Sequence, residues 1–119
     1  MSDYLHTDFD FEKLPKLIRD KIPEIILKKE GKKALTRVLE HDEFILYLKR
    51  KLVEEALETL NTNHEDRVEF MREIADILEI LAALQQELNL TDEEIATIRQ
   101  EKAEKNGAFA EKLLFIGKE

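Results

Sequence analysis

Two short acidic strings are the part of this sequence best equipped for chemistry. Residues 51–60 read KLVEEALETL and carry Glu54, Glu55 and Glu58; residues 73–76 read EIAD and carry Glu73 and Asp76. Glutamate on a helix usually faces water. At ~100° per residue, however, Glu55 falls beside Leu48 and Phe44, at the edge of the apolar stripe, and Glu58 follows on the same side, ~60° away. Glu73 lies among Ile77, Ile80 and Leu84 on its own wheel, with Asp76 about one turn on. Two helices therefore each offer a pair of carboxylates at i, i+3 toward a core. If the helices are antiparallel neighbours, Glu55, Glu58, Glu73 and Asp76 converge. Four carboxylates cannot all stay ionised in one enclosed place without a compensating charge. A hard divalent cation with oxygen ligands meets that demand, and Mg²⁺ is the natural choice.

The plainer reading is a solvated acidic face. The chain is rich enough in glutamate that E-E-x-x-E and E-x-x-D are cheap patterns, and Lys51 stands four residues before Glu55, where it can pair with it. The core-side position of Glu73 weighs against the plain reading, because no basic residue of its own helix faces it. Other chemistries find less support. His6, His41 and His64 lack ligand spacing and read as exposed loop histidines. There is no cysteine, hence neither a thiolate site nor a disulfide framework. No Ser-His-Asp arrangement and no glycine-rich phosphate loop is present.

The elements that must position these groups can be read from the same chain. Pro23 suits a helix start and Gly31 its end, so a short helix is expected over about 23–30, preceded by a turn carrying Arg19, Asp20 and Lys21. ALTRVLE, residues 34–40, reads as a short strand that could pair with the terminal KLLFIGKE. Asp42 can cap a long helix running to about Leu60. NTNHED forms a loop, and a second long helix follows over about 65–88. TDEE, residues 91–94, is a capping box with Thr91 as cap; it opens a third long helix that ends near Asn106 and Gly107. The fold class is all-α: an antiparallel bundle of three long helices and one short, with a minor strand pair at most, as one domain over 14–119 behind an acidic leader over 1–13. ADILEILAAL in the middle helix is apolar on nearly every side. Two long neighbours and one short helix can hardly cover it, so a second subunit is expected across the face of Met71, Leu78 and Ala82, most simply as a homodimer.

Composition limits the partners. With 19 basic and 27 acidic residues in 119, the net charge is −8. That argues against a nucleic-acid groove and against an anionic membrane surface. No stretch is apolar enough to span a bilayer, the acidic start does not read as a signal peptide, and the lack of cysteine fits a cytoplasmic protein.

The acidic strings in this order resemble the metal motif of the MazG-like all-α nucleotide pyrophosphohydrolases. Two further stretches sharpen the resemblance. KLIRDKIPEII, residues 16–26, is similar to the N-terminal signature of the phosphoribosyl-ATP pyrophosphohydrolase-like branch, and EKAEKNGAF, residues 101–109, to that branch's K-x-x-K-x-G-x-F ending. The resemblance implies Glu55, Glu58, Glu73 and Asp76 as ligands of Mg²⁺, for which Mn²⁺ can substitute. It implies Glu54 as an extra acidic group that orients a ligand or accepts a proton from the attacking water. Lys102 and Lys105 would face the substrate phosphates, with Gly107 turning the chain and Phe109 packing the returning segment onto the helices. Arg19 and Lys21 lie in the signature and would assist at the phosphates; Arg19 could equally pair with Asp20 in its own turn. Asn106 and Ala108 depart from residues common at those positions in the family. The implied activity is hydrolysis of a nucleoside triphosphate to a monophosphate and pyrophosphate, for removal of non-standard nucleotides, by a homodimer or tetramer. Hydrolysis of phosphoribosyl-ATP in histidine biosynthesis is the alternative within the class. A catalytically silent helical oligomer that serves as an interaction module is the alternative outside it.

Overall fold

A computed structural model describes residues 13–119 and shows four helices. The acidic leader expected over 1–13 and His6 therefore fall, apart from Lys13, outside the described residues. Helix α1 spans Ile22–Glu30, α2 His41–Asn61, α3 Arg67–Leu88 and α4 Asp92–Asn106. The class is all-α; no strand occurs among the described residues.

Local chemistry accounts for each boundary. Pro23 occupies the first turn of α1, where its missing N–H has no intrahelical partner to lose. Gly31 ends that helix in the left-handed conformation at φ 65° and donates its N–H to the carbonyl of Leu27. Helix α2 begins two residues earlier than the expected Asp42 cap implies. Glu40, in an extended conformation, is the capping residue, and Asp42 sits in the first turn, where a negative charge favours the helix dipole. His41 accordingly opens a helix rather than lying in a loop. Asp66 caps α3 by accepting the N–H of Glu69 at 3.4 Å. Asn89 closes α3 in the left-handed region at φ 56°. The capping box of α4 is complete: the Thr91 hydroxyl accepts from Glu94 N at 3.1 Å, and the Glu94 carboxylate accepts from Thr91 N at 3.1 Å.

The one extensive helix–helix contact among the described residues is between α2 and α3. Its antiparallel sense is fixed by two contacts. His41, at the start of α2, meets Glu87, near the end of α3, with Nδ1 and Oε2 2.5 Å apart. Fourteen residues further along α2 and fourteen back along α3, Glu55 meets Glu73. On α3 the inward positions Phe70, Glu73, Ile77, Ile80, Leu84 and Glu87 repeat at alternating steps of three and four, the spacing that keeps one seam facing a neighbour. On α2 the seam includes Phe44, Leu48 and Glu55. The two acidic strings thus occupy places in the seam that apolar residues would otherwise hold.

Little apolar surface is enclosed. Leu48 and Ile80 are the only buried apolar side chains among the described residues, and Glu55 is as buried as they are. Met71, Leu78 and Ala82, expected to be covered by another subunit, are exposed in the single chain. The molecule measures 61 × 35 × 29 Å with a radius of gyration of 18.0 Å, against roughly 13–14 Å for a compact globule of this length. Helix α4 accounts for part of this extension. It makes no contact with α2 or α3 comparable to theirs with each other, and apart from the half-buried Ile95 its residues are exposed.

Two further local expectations are corrected. Residues 34–40 and the terminal segment form no strand pair. A strand is stabilised by hydrogen bonds to a neighbour, and within one chain neither segment makes any backbone bond to the other. Phe109 does not pack a returning segment onto the helices: it is 94 % exposed, and the chain beyond Gly107 runs out from the end of α4.

Candidate metal centre

Antiparallel pairing of α2 and α3 brings the two acidic strings face to face. Carboxylate oxygens of Glu55, Glu73 and Asp76 all lie within 4.8 Å of one another, and so do those of Glu54, Glu55 and Glu58. Glu55 belongs to both groups and is their centre. It is buried, Glu54, Glu73 and Asp76 are half-buried, and Glu58 lies at the exposed rim. The enclosure shields two oxygens from solvent: among the described residues, Oε2 of Glu55 and Oε2 of Glu73 meet no hydrogen-bond donor. An orphaned buried carboxylate oxygen costs free energy, because its hydration is lost and nothing replaces it.

Protonation is the response available without a cation. Burial, followed by the neighbouring carboxylates of Glu58 and Asp76, pushes the Glu55 carboxyl up to about 7. Burial and the same two neighbours raise Glu73. Two cations already serve the rim. Lys51 Nζ lies 3.7 Å from Glu54, one turn along α2, rather than on Glu55. Arg19 donates to Asp76 Oδ1 at 2.7 Å from 57 residues away in sequence. A tight turn, in which Ile22 N donates to the Arg19 carbonyl at 3.1 Å, sets Arg19 just before α1. Its partner is thus Asp76, not Asp20.

The donor set fits a hard divalent cation. It consists of carboxylate oxygens alone, with mixed burial, and two of those oxygens have nothing else to bind. Glu55, Glu58, Glu73 and Asp76 could hold such an ion, with Glu54 alongside.

The expected phosphate-facing residues are not gathered with the carboxylates in one chain. Lys102 and Lys105 lie exposed toward the end of α4, on the helix that stands off from α2 and α3. Lys21 is exposed immediately before α1. Arg19 alone of the four reaches the acidic cluster. Its bond to Asp76 had no signal in local spacing, because the two residues meet only through the packing of the α1 turn against the helix pair. The chain matches no protein-family model, no curated protein and no solved structure.

Proposed function

We propose that this chain is a Mg²⁺-dependent nucleoside triphosphate pyrophosphohydrolase, which cleaves between the α- and β-phosphates and clears non-standard nucleotides in the cytoplasm. The observation that carries the reading is the pair of orphaned carboxylate oxygens, Glu55 Oε2 and Glu73 Oε2, within the cluster of Glu54, Glu55, Glu58, Glu73 and Asp76. The resemblance of residues 16–26, 54–58, 73–76 and 101–109 to the MazG-like family supplies the reaction.

The residues divide the work as follows. Glu55, Glu58, Glu73 and Asp76 would hold the cation, with Mn²⁺ as a substitute for Mg²⁺. The ion would neutralise the acidic pocket toward a polyanionic substrate and polarise the phosphoryl group under attack. Glu54, held by Lys51 at 3.7 Å, would orient a ligand or take a proton from the attacking water. Arg19, already beside the cluster, would lie close to the bound phosphates. Lys102 and Lys105 would stabilise charge on the departing pyrophosphate. The working form is a homodimer or tetramer: a chain enclosing so few apolar side chains, with Met71, Leu78 and Ala82 exposed on its most apolar helix, gains stability by covering that face with a second copy. No helix among the described residues is long and apolar enough to cross a membrane.

The test is a panel of nucleoside triphosphates assayed for pyrophosphate release with Mg²⁺ and with chelator. Mg²⁺-dependent release from at least one is expected. Mg²⁺ binding without release from any nucleotide would favour the silent helical module. Replacing Lys102 and Lys105 together by alanine should lower kcat and kcat/KM in parallel, each lost charge-assisted contact counting for about 1.5–3 kcal/mol, roughly ten- to a hundredfold. Unchanged constants would remove both lysines from the mechanism.

A further inference from the structure

Of the three carboxylates Glu55, Glu73 and Asp76, the last has a way out of the group. Glu55 is buried, and both it and Glu73 carry an enclosed oxygen. The Asp76 side chain is 39 % exposed, so water can solvate it if it turns away. Repulsion pushes it in that direction, because oxygens of Glu55 and Glu73 lie within 4.8 Å of its own. Asp76 nevertheless stays with them. Arg19 Nη2 donates to its Oδ1 at 2.7 Å, a short charge-assisted bond. The guanidinium is itself anchored by the chain around it. The Ile22 N–H donates to the Arg19 carbonyl at 3.1 Å, and Leu17, Ile18, Ile22 and Ile26 are half-buried, so the turn before α1 is seated on the protein.

We propose that Arg19 is a positioning residue of the cation site: it clamps Asp76 toward Glu55 and Glu73, so that the turn before α1 and the bound cation stabilise each other. This rests on reading the carboxylates as a cation site, and not on the reaction carried out there. One N–H of the guanidinium meets one carboxylate oxygen, and an ionised carboxylate accepts several bonds, so Asp76 keeps capacity for a cation while Arg19 holds it. Arg19 acts through Asp76 without itself ligating. A guanidinium also repels a cation, but this pair lies at the solvent boundary, with side chains 57 % and 39 % exposed, where salt and water screen that repulsion. Release of Asp76 into water would instead remove a ligand outright. Loss of the outer partner of a ligating side chain typically weakens metal binding about 10- to 100-fold. Linkage makes the effect reciprocal: a cation that binds better with the clamp closed must hold the clamp closed.

The test is Mn²⁺ binding by the full chain without nucleotide, followed through the paramagnetic resonance signal of the free ion. Arg19→Ala should weaken Mn²⁺ binding about tenfold or more, and Arg19→Lys, which keeps the charge and a donor, should fall between it and wild type. The metal-free melting temperature should barely move, because an exposed ion pair adds little to stability. In an Asp76→Ala background Arg19→Ala should cost nothing further, since its effect passes through Asp76. Saturating Mg²⁺ should slow amide exchange over residues 19–26 in wild type and not in Arg19→Ala. Unchanged Mn²⁺ affinity in Arg19→Ala would overturn the clamp and leave the cation site standing. Tighter binding would overturn it too, and would mean that the guanidinium only competes with the cation for Asp76. So would an equal loss in the Asp76→Ala background. A wild-type chain that binds no Mn²⁺ would remove the cation site itself, and the clamp with it.

Discussion

The α2–α3 pair carries two charged meeting points, fourteen residues apart on each helix, and they are built on opposite principles. At one, His41 faces Glu87, donor against acceptor at 2.5 Å, with the imidazole more than half exposed. At the other, Glu55 and Glu73 face each other with Glu58 and Asp76 beside them, and two oxygens have no donor among the described residues. The first is an ordinary surface contact that fastens the open ends of a helix pair. The second works against the fold: like charges are enclosed where apolar side chains would pack better. Folding alone gives no reason to keep such a cluster; the cation proposed above would. Arg19 on Asp76 and Lys51 on Glu54 offset part of the repulsion at the rim, and neither reaches the two orphaned oxygens.

The contrast can be broken most sharply at Glu73. Glu73→Ala should abolish Mg²⁺-dependent pyrophosphate release while leaving the metal-free protein as stable as wild type or more so, since one of several crowded like charges is removed. Turnover near the wild-type level, or a clear fall in metal-free melting temperature, would show that Glu73 serves the fold instead. The next effect is the dependence of metal-free stability on pH. Glu55, at about 7, and Glu73 are both raised in the folded state, so the folded chain binds protons more tightly there than the unfolded chain. That contribution is complete below the unfolded value near 4.5 and is lost as pH rises through about 7. The melting temperature in chelator should therefore fall between pH 5 and pH 8, and saturating Mg²⁺ should flatten the slope, because ligation requires the deprotonated carboxylates. Glu43 and Glu94 are shifted down, by the Arg37 hydrogen bond and the Thr91 cap respectively, and act below this window. A metal-free melting temperature that rises over the same range would contradict the cause assigned to both shifts. The smallest effect belongs to the other meeting point. Replacing His41 by alanine removes one exposed pair and should cost about 0–1 kcal/mol, with Mg²⁺ dependence untouched; a loss of metal binding in that variant would mean the two points are coupled along the helix pair.

Much of this molecule was decided locally and is legible residue by residue. Pro23 and Gly31 bound α1, Thr91 and Glu94 open α4, and Gly107 ends it, because caps and breakers act within one turn of chain. The seam positions of Glu55 and Glu73 follow from helical periodicity, and the short loop of residues 62–66 makes the antiparallel neighbour relation almost obligatory. Spacing therefore sufficed to bring Glu55, Glu58, Glu73 and Asp76 together. Other features depend on where whole elements lie. Arg19 binds Asp76 rather than Asp20 because the α1 turn packs near α3, a contact between residues 57 apart that no local pattern encodes. The start of α2 at His41 joins that residue to Glu87, since the length of one helix meets the end of the other. The strand tendencies of residues 34–40 and of the terminal segment are genuine propensities, but β structure exists only with a partner, and the departure of α4 from the helix pair withholds one within the chain. Helix formation needs only its own residues; pairing, burial and the unmet demand of a carboxylate oxygen need the arrangement of the others.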